Sequence, residues 1–302
     1  MWNKPWRFAE GFAIGGGLVV LGLLLQWVLG PVEWGLLAFP VNLAVAALLL
    51  VAIVVTYSLR RKVYAFDWMM HIQAAVPAIA WALALTIVMG LTVQTDRGGI
   101  PWLSQMLTFW PFVLVYAWMV FIAGLSSLNH IMHFRIKEIP FILNHLGVFI
   151  ALVSGTLGGA DLQQLELTAE KDVPESVAMD EMGFRHDLDF SVELHSFIIE
   201  EYPPETSPMR MPKRFASDVS VHTKGGRTVR GTVEVNKPLK VDGWKIYQYD
   251  YDDSRPGEVS IFEIVRDPWL PLVYAGIFVM LAGAVCVLFF MAPKPGRKEE
   301  RV

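Results

Sequence analysis

Charge is scarce in this sequence and cysteine nearly absent. Only 18% of the 302 residues are charged, against 54% hydrophobic, whereas soluble domains carry about 25% charged residues. Mean hydropathy is +0.43. So much apolar surface does not fit inside one soluble core of this size, and it also argues against disorder. The single cysteine, Cys286, excludes a disulfide framework, a C-x-x-C redox pair and an iron–sulfur site within the chain. No Walker A loop and no G-x-G-x-x-G after a strand are present, so nucleotide use is unsupported. Without G-x-S-x-G or H-E-x-x-H there is no recognisable hydrolase. A dihaem quinol-oxidising subunit needs about four well-buried histidines on facing helices, and only one histidine lies well inside an apolar run. Lys and Arg are missing from the middles of those runs, which disfavours voltage sensing. A small-molecule transporter is disfavoured by the lack of inverted repeats or broken polar helices.

What is present is a set of long apolar runs. A membrane-spanning helix needs about 20 mostly apolar residues. Six stretches qualify: residues 11–30, 34–58, 71–93, 106–128, 138–160 and 269–291. The first reads as a retained anchor rather than a cleaved leader. Pro40 fits the first turn of the second run, and Pro77 begins or kinks the third. Between the fifth and sixth runs lies a polar block, residues 160–267, with net charge −9; the rest of the chain is net +5. The expected organisation is a five-helix transmembrane region (1–160), an extracytoplasmic β-rich domain (161–267), a final transmembrane helix (268–292) and a cytoplasmic tail (293–302). The fold class is thus a polytopic α-helical membrane protein with an inserted all-β domain.

Orientation follows from loop basicity. Lys4, Arg7, Arg60, Arg61, Lys62, Arg135, Lys137, Lys294, Arg297, Lys298 and Arg301 fall on one side if every span crosses, and the opposite short loops offer only Arg97. Both termini are therefore expected in the cytoplasm and the polar block outside. Trp2, Trp6, Trp27, Trp34, Trp68, Trp102, Trp110 and Trp269 cluster near span ends, as an interfacial belt in contact with membrane lipids would.

The polar block alternates with period two. Residues 187–202, 219–221, 229–235, 244–251 and 259–265 read as strands. Lys224-Gly225-Gly226-Arg227 reads as a hairpin whose glycines supply positive φ, and Pro203, Pro204, Pro208 and Pro212 mark an irregular connection. A small antiparallel sandwich or open barrel is expected. Its acidity makes nucleic acid an improbable partner.

Polar groups at membrane depth are functional candidates. The best is His145, in Asn144-His145-Leu146-Gly147, roughly 9 Å inside the fifth span at 1.5 Å per residue. An imidazole there either ligates a metal or haem iron or hydrogen-bonds to a facing helix. Gly147, Gly155, Gly158 and Gly159 leave room for a flat ligand or a neighbouring helix. Gly276 and Gly283 share a face of the last span. His71, His130 and His133 fall near span ends and read as a solvated basic edge beside Arg135 and Lys137. His186, His195 and His222 lie in the polar block and, with no second His or Cys at ligand spacing, read as surface or core histidines. Cys286 reads as a small apolar filler.

The ordered set Ser217-Asp218-Val219, Val235-Asn236-Lys237-Pro238-Leu239 and Gly243-Trp244-Lys245-Ile246-Tyr247-Gln248, in a domain ending at a final span, resembles the ResB-like (CcsB-like) family of system II cytochrome c biogenesis proteins. The run 139–161, with N-H-L-G and a terminal G-G-A-D, resembles that family's span before its external domain. The similarity covers about residues 100–290. Spans one to three match less well; many members have four spans, so the extra pair here is a departure that leaves the N-terminal third unexplained by the resemblance.

The resemblance implies haem transport: haem b crosses the membrane with its iron held transiently between two intramembrane histidines, one from this subunit and one from a CcsA/ResC-type membrane partner, before attachment to an apocytochrome c. Only His145 carries over, as an axial iron ligand; no catalytic residue does, and the partner's tryptophan-rich platform is absent. The alternative is a non-catalytic scaffold that docks the partner and the apocytochrome while His145 packs between helices. The acidic block is expected to attract lysine-rich apocytochromes through Glu200, Glu201, Asp250 and Asp252, whereas V-N-x-P-L and Y-Q read as structural, with Asn236 and Pro238 shaping a turn.

Overall fold

The computed structural model describes residues 2–94, 102–201, 212–252, 254–255 and 257–290. Arg97, the basic tail (Lys294, Arg297, Lys298, Arg301) and Pro203, Pro204 and Pro208 fall outside them. The chain forms two compact units, residues 1–160 with 269–302, and residues 161–268.

The first unit is helical. Its long elements are α1 (Phe8–Leu29), α2 (Val41–Leu59), α4 (Ile72–Leu91), α5 (Trp110–Met132), α6 (Ile139–Gly158) and α7 (Leu270–Phe290), with a short α3 (Tyr64–Trp68) between α2 and α4. Six helices are long and apolar enough to cross a membrane, so this is a membrane protein. Their outward faces carry large apolar side chains such as Leu91, Trp27 and Phe289, which suits contact with acyl chains. Pro40 sits at the N-cap of α2, where a missing N–H costs nothing, and Pro77 lies inside α4. Trp68 departs from the expected belt: it is buried, edge-on to Trp6 at 5.4 Å.

Helix association in lipid depends on close packing and on polar pins, because lipid is as apolar as leucine. Both devices occur. α5 is central, touching α1, α2, α4 and α6. The Gln26 side chain accepts the Trp110 N–H at 3.1 Å, tying α1 to the start of α5, and buried Asn42 donates to the Leu157 carbonyl at 3.1 Å, tying α2 to α6. The tightest pair is α6 with α7. A Cβ placed on Gly147 would lie 2.4 Å from the Met280 nitrogen, and one on Gly276 would lie 2.5 Å from the Ala151 nitrogen. The shared face of Gly276 and Gly283 is therefore a helix contact.

The second unit is an antiparallel sheet of eight strands: β1 (Gln163–Glu170), β2 (Pro174–Met179), β3 (Arg185–Glu201), β4 (Pro212–Thr223), β5 (Thr228–Glu234), β6 (Leu239–Val241), β7 (Trp244–Tyr251) and β8 (Val259–Arg266). The order is β5-β4-β3-β2-β1-β8-β7-β6. The first and last strands pair throughout, from Gln163 opposite Arg266 to Glu170 opposite Val259. Alternation buries Leu165, Leu167 and Ala169 from β1 against Phe262 and Ile264 of β8 and Val192 and Leu194 of β3. At the β4–β5 hairpin only Gly226 takes positive φ (77°); Gly225 does not. The edge strands β5 and β6 approach each other, with Leu239 against Gly231, so the sheet curls towards an open barrel.

Candidate functional site

His145 lies in the second turn of α6, with Pro140 in the first turn, where its absent N–H is tolerated. Its Nδ1 is 3.0 Å from the Phe141 carbonyl. That carbonyl only accepts, so Nδ1 carries the proton and the Nε2 lone pair is available. No hydrogen bond to Nε2 occurs among the described residues. The Phe141 ring stacks on the imidazole at 3.7 Å and 13°, and His130 of α5 lies on Phe141 at 3.8 Å. His130 Nδ1 is 2.9 Å from a Glu138 carboxylate oxygen. Of the expected basic edge, His133 is exposed and bonds the Asn129 carbonyl, whereas His130 is half-buried in this stack with its ring on Glu138. His71 sits 3.5 Å from Asp67 on an exposed turn.

His145 lines a cavity of about 230 Å³ between α4, α5 and α6. Its α4 wall includes the small residues Ala75 and Ala78, and the rest is almost wholly apolar, with Ser126 and Asn144 as polar exceptions. A second cavity of about 360 Å³ lies further along the same helix pair, lined by Tyr116, Gly155, Thr156 and Gly159. Met119 and Leu152 of the first cavity fall one turn from Tyr116 and Thr156 of the second, so both open on one face of α5 and α6. Between them, the Tyr116 hydroxyl donates to the Leu152 carbonyl at 3.2 Å and accepts from Thr156 at 3.0 Å.

The glycines of α6 and its C-cap, Gly159, divide by role. Gly147 and Gly158 admit helix neighbours, namely α7 and Trp269, while Gly155 and Gly159 have open space where a Cβ would project. The arrangement can offer one imidazole nitrogen, fixed in direction, as a metal ligand beside an apolar cavity.

In the sheet unit the motif residues are structural. Buried Ser217 donates to Gln248 Oε1 at 2.6 Å, and the Gln248 amide donates to Ser260 Oγ and to the Asp250 carbonyl, each at 2.8 Å. Asp218 accepts from Ser196 and Thr232. The V-N-x-P-L turn is closed by reciprocal backbone bonds between Glu234 and Lys237 at 3.2 Å. The acids expected to attract apocytochromes are partly engaged already: Glu200 pairs with Arg214 at 2.7 Å and Asp252 with Arg255 at 3.1 Å. Arg214 also reaches Glu234, whose carboxyl it holds below its usual value.

Residues 135–261, from the α5–α6 loop through the V-N-x-P-L and G-W-x-I-Y-Q motifs, match the family model of ResB-like proteins. This segment belongs to the ResB-like family. The matched segment contains His145, Phe141 and the buried Ser217–Gln248 pair, and leaves α1 to α5, most of β8 and α7 outside it. No curated protein matches the chain. Among solved structures, the cytochrome c haem lyase CcmF is similar over 73% of this chain, with 12% identity and a TM-score of 0.37. The chain spans 38% of the length of that protein.

Proposed function

We propose that this chain serves cytochrome c biogenesis as the haem-carrying subunit of a system II synthase. Haem is the cargo, and His145 supplies one axial ligand to its iron. The second ligand comes from a CcsA/ResC-type membrane partner, and the acceptor is an apocytochrome c. The observation that carries this reading is the free Nε2 of an oriented His145 on an apolar cavity at membrane depth. The ResB-like match agrees with it. The eleven-to-one split of basic residues among the loops supports cytoplasmic termini and an extracytoplasmic sheet domain.

The chain's own contributions are binding and orientation. Phe141 fixes the imidazole tautomer and ring plane, the small residues of α4 leave room beside it, and the apolar walls keep water away. The second cavity, on the same face, gives a flat apolar cargo a continuous surface along α5 and α6. Nothing in this reading assigns bond-making steps to the chain; those belong to the partner.

The test is the visible spectrum of the complex purified with its partner. A haem absorption band is expected, lost in His145→Ala and restored by added imidazole. If His145→Ala keeps both haem content and cytochrome maturation, the chain is a docking scaffold and the haem-carrying role is wrong.

A further inference from the structure

The sheet unit carries a second ligand-like constellation, remote in sequence from His145. Asp172, in the β1–β2 turn, and Glu193 and His195 of β3 each present an oxygen or ring nitrogen, and these atoms all lie within 4.8 Å of one another. Three features of the fold assemble them. The Asp172 N–H donates to the Leu194 carbonyl at 2.7 Å, which seats the turn beside β3. The β3–β4 pairing slips between Leu194 and Ser196, and such a bulge re-aims the extra residue, here His195. Glu193 lies two residues earlier on the same strand.

We propose that Asp172, Glu193 and His195 form a binding site for a divalent transition-metal ion of the zinc class. Partners outside the trio hold two of the three ligands. His195 Nε2 is 2.6 Å from Ser220 Oγ, and Glu193 Oε2 is 2.9 Å from His222 Nε2. His222 is held in turn by Thr228 at 3.1 Å. When His195 donates its Nε2–H to Ser220, its Nδ1 lone pair faces the Asp172 carboxylate, 3.8 Å away. A lone pair against a carboxylate is repulsive, and a bound cation removes the repulsion. Outer partners that fix the tautomer and orientation of a ligating histidine are the usual second layer of a metal site.

The donor set matches zinc-class ions. One imidazole and two carboxylates leave a fourth tetrahedral position for water and neutralise a 2+ charge. Calcium and magnesium prefer oxygen alone. Zinc bonds of about 2.0–2.2 Å place tetrahedral donors roughly 3.4 Å apart, so the trio closes by about an ångström on binding. Asp172, the most exposed member at 68%, supplies that movement. The ion then pins the β1–β2 turn to β3.

The experiment uses the full chain in detergent, free of any histidine tag and stripped with chelator. Zinc is added as the chloride and bound metal is measured by equilibrium dialysis with elemental analysis. One zinc per chain is expected. His195→Ala, Glu193→Gln and Asp172→Asn should each weaken binding tenfold or more, and excess calcium should not compete. Asp172 has φ +58°, a conformation Asn accepts, so that variant should fold even if a strand variant does not. His186→Ala, which removes a histidine paired with Asp180 on another hairpin, should bind zinc normally. Absence of saturable zinc, or zinc retained undiminished in His195→Ala and Asp172→Asn, overturns the proposal. The readout is independent of haem.

Discussion

Phe141 holds His145 at two points: its carbonyl bonds Nδ1 at 3.0 Å and its ring lies 3.7 Å from the imidazole, nearly parallel. The backbone contact survives any substitution of Phe141 that keeps the helix, but the ring contact does not. Aromatic pairs contribute about 0.5–1.5 kcal/mol, which corresponds to roughly twofold to tenfold in an equilibrium constant. Phe141→Ala is therefore expected to lower haem occupancy of the complex by two- to tenfold, with partial recovery on adding imidazole. Titration of the haem band against haem concentration measures it.

The glycines of α6 predict opposite outcomes about two turns apart. Gly147→Ala forces a methyl into the backbone of α7; overpacking costs about 1–3 kcal/mol, so the melting temperature in detergent should fall. Gly155→Ala meets open space and should leave it unchanged or raised. Gly155→Leu, by contrast, fills the cavity beside Tyr116 and Thr156. It should retain haem at His145 while cytochrome maturation drops tenfold or more, scored by haem staining.

Gln248 is buried and satisfied by Ser217, Ser260 and the Asp250 carbonyl. Gln248→Leu leaves the buried Ser217 and Ser260 hydroxyls only the 3.0 Å bond to each other and removes the donor to the Asp250 carbonyl, a loss of about 1–3 kcal/mol. The sheet should unfold at lower denaturant concentration, and maturation should fall only in proportion to the folded fraction. A larger loss of maturation would make Gln248 a contact residue rather than a core one.

The Glu234 carboxyl is held below its ordinary value, first by Arg214 and then by Lys237. A lowered carboxyl value means that its stabilising contribution is complete above the unfolded value of 4.5 and is lost as pH falls through the folded one. Acidification below about pH 4.5 should loosen the turn that begins at Glu234 before the core strands open. Hydrogen exchange at the Lys237 amide, compared with Ile246, follows it. Glu234→Gln should remove the pH dependence.

Much of this architecture is legible in the residues. The six spans are long uninterrupted apolar runs, and membrane depth leaves few other options for such runs. Strands β3, β5, β7 and β8 show clean alternation. β1 (Gln163–Glu170) does alternate, with Leu165, Leu167 and Ala169 inward, but it follows closely on the last apolar residues of the preceding span, and β2 (Pro174–Met179) is short with one small inward residue, Ala178. β6 has three residues, too few for a pattern. His145 stands out because an imidazole inside an apolar run is rare. His130 does not, because its partners Glu138 and Phe141 lie across a turn from it. The Asp172–Glu193–His195 cluster comes from a turn and a bulged strand, so no fixed spacing announces it. The cavities depend on which helices become neighbours, which composition does not encode.

The pairing of α6 with α7 has an architectural consequence. The whole acidic block leaves the membrane unit after Gly158 and returns at Trp269, and those two residues touch. A guest segment anchored at adjoining entry and exit points is modular: it can be swapped for a relative's, or replaced by a brief linker, without prising the helical host apart. Chimeras built at this seam would separate what the lipid-embedded half accomplishes from what the water-exposed half adds.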